Sequence, residues 1–173
     1  NTTGTQNVAI GAYSLGTNTT ATDSTAVGYS ALYTNTGGYN VAVGSRAMQD
    51  NTTGTSNAAI GFNALHSNTT GTSGVAVGHN ALDANTTASY NTAVGGNALT
   101  DNTTGDSNTA VGYACLQNNT TSHNSTGVGY GCLGTQTTGS SNTAVGKSCM
   151  ALTDTGANNA AMGVQAMITN TTG

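Results

Sequence analysis

Asn51-Thr-Thr-Gly-Thr-Ser-Asn-Ala-Ala-Ile-Gly61 and Asn102-Thr-Thr-Gly-Asp-Ser-Asn-Thr-Ala-Val-Gly112 are one sequence written twice, and Asn1-Thr-Thr-Gly-Thr-Gln-Asn-Val-Ala-Ile-Gly11 writes it a third time in the same phase. Aligned outward from these stretches, the whole chain becomes tandem copies of N-T-T-G-x-x-N-T-A-V-G-x-x-A-L-x-x. The 17-residue units begin at Asn1, Asn18, Asn35, Asn51, Asn68, Asn85, Asn102, Asn119, Gln136 and Thr153, and an eleventh opens at Asn170. Only the unit at Asn35 is one residue short. A deletion that leaves the next unit in phase belongs in a surface turn.

Position 11 of the unit is always glycine: Gly11, Gly28, Gly44, Gly61, Gly78, Gly95, Gly112, Gly129, Gly146 and Gly163. A glycine recurring at one phase predicts a structural corner that needs positive φ or close approach of the next unit. Position 10 is always apolar and usually β-branched, from Ile10 and Val27 to Val145 and Met162, and is expected to lie on a strand facing a dry interior. Position 9 is Ala except at Gly127, and by strand alternation it faces the other side, against a second close neighbour. Position 15 is Leu or Met throughout and position 14 is Ser, Ala or Cys. Two short strands per unit follow as the expectation, around positions 7–10 and 13–16, with positions 12, 13, 16 and 17 outside.

Helix is excluded by the composition of the unit, because Thr, Asn and Gly recur too often for an uninterrupted turn-by-turn helix. The fold class expected is therefore all-β: a parallel β-solenoid, or β-roll, of about ten 17-residue coils, forming one tandem-repeat segment over residues 1–173 and part of a longer fibre. With coils ~4.8 Å apart the rod would be roughly 48 Å long. Equivalent residues then stack into ladders, and Asn1, Asn18, Asn51 and their equivalents would bond amide to amide from coil to coil.

Composition narrows the function. The 173 residues carry 2 Lys+Arg and 6 Asp+Glu, a net charge of −4, so no basic surface exists for a nucleic acid. No apolar stretch approaches the length of a membrane span, so no membrane insertion is expected. No serine–histidine–aspartate set or paired carboxylates occur at a supporting spacing, and neither an enzyme nor a cofactor is expected. His66, His79 and His123 fall at positions 16, 12 and 5 and do not stack into a metal site. Cys115, Cys132 and Cys149 share position 14, which places them ~4.8 Å apart on successive coils. They read as a redox staple, a metal ladder, or simply cysteine in place of alanine at a small buried site, and the last reading is preferred. The Asn-Thr-Thr triplet also matches the N-x-[ST] glycosylation acceptor at Asn1, Asn18, Asn51, Asn68, Asn85, Asn102, Asn119 and Asn170, the same residues that an Asn ladder explains without modification. An ice-binding threonine array is disfavoured by the absence of T-x-T spacing. Seven tyrosines sit mostly at outside positions, which adds a little to adhesion, but over several phases.

The cores Asn7-Val-Ala-Ile-Gly11 and Asn142-Thr-Ala-Val-Gly146 resemble the YadA-like S-V-A-I-G head repeats of trimeric autotransporter adhesins. The longer unit with Gly28-Tyr-Ser-Ala-Leu32 is similar to repeats of phage and bacterial tail-fibre-like proteins. The resemblance implies a left-handed roll, three chains side by side, and a head that meets host cells or matrix. It also implies that positions 9 and 10 divide between coil interior and trimer axis. The family coil is shorter, so the Asn-Thr-Thr-Gly turn is an addition. The function expected is a structural segment of an extracellular fibre or surface appendage, on a cell or a virion. Its partners would be itself, as a homotrimer or an end-to-end filament, and host glycan or matrix; a self-assembling glycosylated filament is the alternative.

Overall fold

The computed structural model describes residues 2–170 and is all-β, with no helix among them. It is a parallel β-solenoid. Ten three-residue strands, β1 (Val8–Ile10), β2 (Thr25–Val27), β3 (Val41–Val43), β4 (Ala58–Ile60), β5 (Val75–Val77), β6 (Thr92–Val94), β7 (Thr109–Val111), β8 (Thr126–Val128), β9 (Thr143–Val145) and β10 (Ala160–Met162), form one sheet in chain order. Every pair is parallel and in register, so that Ala76 stands on Ala93 and Ala93 on Ala110. The short unit at Asn35 keeps this register, because its missing residue comes out of the turn before β3.

Each coil has one strand, not the two expected. Positions 14 and 15 are both buried, as Ala81 with Leu82 and Ala98 with Leu99. An extended strand sends neighbouring side chains to opposite faces, so it cannot bury an adjacent pair. The chain solves this with left-handed backbone at positions 13 and 15, for example Asn80 at φ 54° and Leu82 at φ 54°. Bulky residues rarely adopt that conformation. Here it is held from both sides, since the Leu82 amide donates to the Ala98 carbonyl of the next coil at 3.0 Å and the Asn80 amide to the Phe62 carbonyl of the coil before at 3.0 Å. The stack thus enforces a conformation that an isolated coil would not hold.

The facing of the strand is also corrected. Position 9 lies inside, with Ala26, Ala42, Ala59, Ala76, Ala93, Ala110 and Ala144 fully buried, while Ile10, Ile60, Val94, Val111 and Val128 of position 10 are exposed. The coil is too narrow for the larger residue. A methyl group built on Gly127 would meet the Leu116 side chain at 3.5 Å and Cys115 Sγ at 2.6 Å, so the leucine rank of one coil reaches the floor of the next strand. At Gly127, above the Cys115 thiol, even a methyl group would overlap, and in the coils with Ala at position 9 the methyl group is fully buried, so a branched side chain has no space there.

The other half of the interior is polar. Asn68 Nδ2 donates to Asn51 Oδ1 at 2.7 Å and to the Gly71 carbonyl at 3.0 Å, and Asn85 Nδ2 donates in turn to Asn68 Oδ1 at 2.9 Å. The Asn ladder expected at position 1 runs from Asn35 to Asn119; Asn18 does not join it, and Asn1 lies outside the described residues. A second asparagine rank at position 7 stitches coil to coil through the backbone. Asn57 Oδ1 accepts the Gly74 amide at 2.8 Å, and its Nδ2 donates to the Gly71 carbonyl at 2.9 Å. From Asn51 to Asn119 buried amides are tolerated because their nitrogens are met, whereas Asn18 Nδ2 is buried without a partner. Where the unit departs from consensus, the partners change together: Gln136 replaces Asn at position 1, and its Nε2 reaches Ser122 Oγ at 2.7 Å and Ser125 Oγ at 3.0 Å. The threonine of position 2 adds an outer seam, as Thr52 Oγ1 donates to the Thr69 carbonyl at 2.8 Å and Thr69 Oγ1 to the Thr86 carbonyl at 2.9 Å.

Candidate interaction face

Because position 9 points inward, positions 8 and 10 of every strand point out together. Val8, Val41 and Val75 on one rank and Ile10, Ile60, Val94, Val111, Val128 and Met162 on the other are all exposed. None of the eight charged residues falls at either position. The first rank is mixed, with Thr25, Thr92, Thr109, Thr126 and Thr143 among its valines and alanines, while the second is apolar in all ten coils and makes a continuous line roughly 48 Å long. An exposed apolar line of that length, free of charge, marks a place where something else packs.

Around the Gly11 corner, position 12 forms a second outward rank, carrying Tyr29, Phe62, His79, Tyr113 and Tyr130. Direct neighbours stack: Phe62 on His79 with ring centroids 5.4 Å apart, and Tyr113 on Tyr130 at 5.5 Å. Tyr113 and Tyr130, which share position 12, are therefore stacked in space.

The corner glycines need their residue type. Gly28, Gly44, Gly61, Gly78, Gly95, Gly112, Gly129 and Gly146 have φ between 134° and 140°, with Gly11 and Gly163 at 122° and 126°. The candidate acceptors of glycans are placed otherwise than a row of sugars requires. Asn18, Asn51, Asn68, Asn85, Asn102 and Asn119 are buried, and from Asn51 to Asn119 each amide nitrogen donates inside the ladder. A glycan on such a nitrogen would sit in the core, so the folded coil has no room for it. Asn170 is half-buried and its Nδ2 lies 3.5 Å from Met167 Sδ, while Asn1 lies outside the described residues.

Cys115, Cys132 and Cys149 are all fully buried free thiols on successive coils. Their place opposite the inward face of the strand is that of Ala81 and Ala98 in other coils. A hydrogen bond to Cys132, then burial, pushes the Cys115 thiol up; burial also raises Cys149, and accepting from Cys115 lowers Cys132. Cys132 donates to the Ala144 carbonyl at 3.1 Å. Thiols so enclosed react slowly. Ellman's reagent is expected to titrate none of the three in the native chain and all three in denaturant; prompt native labelling would show that the coils open there.

His66 pairs with Asp83 (Nδ1–Oδ1 3.6 Å) and His123 Nδ1 accepts the Asp106 amide at 2.9 Å, on separate coils. Among the described residues, no three His, Cys, Asp or Glu side chains are grouped to hold a metal ion. Burial raises the Asp83 carboxyl, against the pull of His66 and His79. A carboxyl raised by folding loses stability as pH rises and it ionises. Asp83→Asn is therefore expected to melt higher than the parent at pH 7, with the difference closing as pH falls to about 4 and below. Thermal melts across that range check it.

No described helix is long and apolar enough to cross a membrane. Compared with family models, with curated proteins and with solved structures, the chain has no match.

Proposed function

We propose that this chain is a structural segment of an extracellular fibre or surface appendage, an adhesin head or shaft or a tail fibre, that spaces and presents binding surfaces. Its copies associate side by side, as a homotrimer, through the outward face of positions 8 and 10. The observation that carries this reading is the charge-free outward face, apolar all along position 10, on an unbroken, in-register stack of ten strands. A rod built by nearest-neighbour stacking transmits length rather than forming a cleft, and an apolar line on each of three rods supplies a shared axis. Burial of the Asn-Thr-Thr amides favours this reading over a sugar-coated filament.

Gold-labelled antibody against the purified chain should decorate fibres projecting from intact producing cells or particles. Label confined to the cytosol of sectioned cells would remove the fibre reading. Association is tested separately by light scattering. The parent should have the mass of three chains and the Val77→Lys/Val94→Lys variant that of one, with its β-type circular dichroism retained. A parent that is monomeric at every concentration refutes the trimer.

A further inference from the structure

Tyr13, Tyr29 and Tyr33 occupy three different positions of the unit, yet the first two coils bring them together. The Tyr13 and Tyr29 rings meet edge to face at 5.7 Å and 90°, and Tyr13 meets Tyr33 at 6.4 Å and 81°. Elsewhere on the rod, aromatic neighbours lie nearly parallel and cover each other, as Tyr113 and Tyr130 do at 18°. Perpendicular rings instead wall a hollow. With Ser30 and Gln49 they line an open cleft of about 250 Å³.

The local sequence builds this cleft in several ways. Gly16 is where a side chain would collide with the Tyr33 ring, its Cβ falling 2.5 Å from Cε2, so the missing side chain lets the ring lie flat on the first coil. Thr17 grips the Tyr33 carbonyl with both its amide and its hydroxyl, each at 2.9 Å, and Thr34 Oγ1 holds the Gln49 carbonyl at 3.1 Å. Left-handed backbone at Tyr13 (φ 63°) and Ser30 (φ 54°) sets the other walls. Tyr13 and Tyr29 nevertheless keep 62% and 50% of their surface exposed, so their rings are available for contact.

We infer that this cleft is a binding subsite for a neutral sugar ring of a surface glycan. No lining residue is charged, so the cleft offers no ion pair and its polar groups are phenol, amide and hydroxyl. A pyranose presents an apolar C–H face and a rim of hydroxyls, and it is matched by tyrosine rings, whose faces are negative, beside phenol, amide and hydroxyl groups. The volume lies just below the about 300–1,000 Å³ of sites for larger ligands, which suits one or two sugar rings. Binding by one such subsite is weak, and a fibre with several copies would gain by avidity. The inference does not rest on the fibre reading, because the walls come from one chain and a monomer would bind equally.

The test is saturation-transfer NMR on the full chain with methyl glycosides of glucose, galactose, mannose and N-acetylglucosamine and their disaccharides. At least one should receive saturation, with the apparent affinity falling tenfold or more in Tyr29→Ala and in Tyr13→Ala. Tyr113→Ala, on the parallel stack, should bind as the parent does. These tyrosines are on the surface, and an unchanged circular dichroism melt confirms that each variant is folded. Tyr33→Phe, which keeps the ring on Gly16, should retain most of the binding. Absence of transfer to every neutral glycoside, or equal transfer in the folded Tyr13→Ala/Tyr29→Ala double variant, overturns the proposal.

Discussion

Gly78→Ala should split the rod in the middle. Gly78 has φ 136°, and a Cβ there would fall 2.6 Å from both the carbonyl carbon and the carbonyl oxygen of Gly95 in the next coil, with the Gly96 amide nitrogen at 3.0 Å. Nothing soft is in the way: all three are backbone atoms. The φ alone costs about 1–3 kcal/mol for a residue with a side chain. Relieving the overlap means pulling coil from coil where the Gly95 amide donates to the Val77 carbonyl at 2.8 Å. A total near 4 kcal/mol is expected, among the largest effects of any single substitution. In a stack held by nearest-neighbour contacts the loss is local. The variant should therefore melt in two steps or over a broadened range, with amide exchange fastest around Val77 and Gly95. Gly131→Ala is the control. Gly131 sits at position 13 with φ 58°, where Ala114 already adopts φ 53°, and a Cβ would meet only Ser148 Oγ at 3.9 Å. It should melt within a degree or two of the parent, and an equal effect at both glycines would refute the corner argument.

Asn68→Ala should be nearly as damaging for a different reason. It removes the donor to Asn51 Oδ1 and the acceptor of Asn85 Nδ2 in a part of the interior that water does not reach. The Gly71 carbonyl keeps Asn57 Nδ2, and Asn85 keeps the Ala88 carbonyl, so the Asn51 oxygen is the group left bare. One stranded acceptor, the lost bonds and the small void together come to roughly 2–4 kcal/mol. Asn68→Asp sharpens the test with almost no change of shape. Its carboxylate would face the Asn51 oxygen and the Gly71 carbonyl, so folding raises its pKa above the unfolded value of about 3.9. A carboxyl raised in this way contributes most below the unfolded value and loses stability as pH rises. The variant should be worse than Asn68→Ala at pH 7 and recover as pH falls below about 4. Chemical denaturation at both pH values reads the difference, and a pH-independent Asn68→Asp would mean that this interior is wet.

The substitution of Gly and Asn shows how much of the molecule was written in its period. Seventeen residues repeated in phase required equivalent residues to stack, because no single unit has enough apolar surface to fold alone. From that alone came the parallel in-register sheet, the amide ladder of position 1 and the glycine corner, all relations between identical residues on successive coils. Such relations need no knowledge of the coil's cross-section.

What the period left open was the path within the coil. Alternation allowed either Ala at position 9 or Val at position 10 to face inward, and size and β-branching pointed to valine; the depth of the leucine rank decided for alanine. The burial of both positions 14 and 15 was the signal against a second strand, since neighbours on a strand cannot share a face. The asparagines of Asn-Thr-Thr matched both a ladder and a glycan acceptor, with the ladder preferred, and their side chains from Asn18 to Asn119 lie inside. Tyr13, Tyr29 and Tyr33 shared no phase, so only the crossing of the outer turns could join them. The sequence alone determined what stands above what along the rod, because stacking repeats identity. Which side chains meet across the coil was decided by the tertiary structure, because that depends on left-handed turns held in place only by the coils on either side.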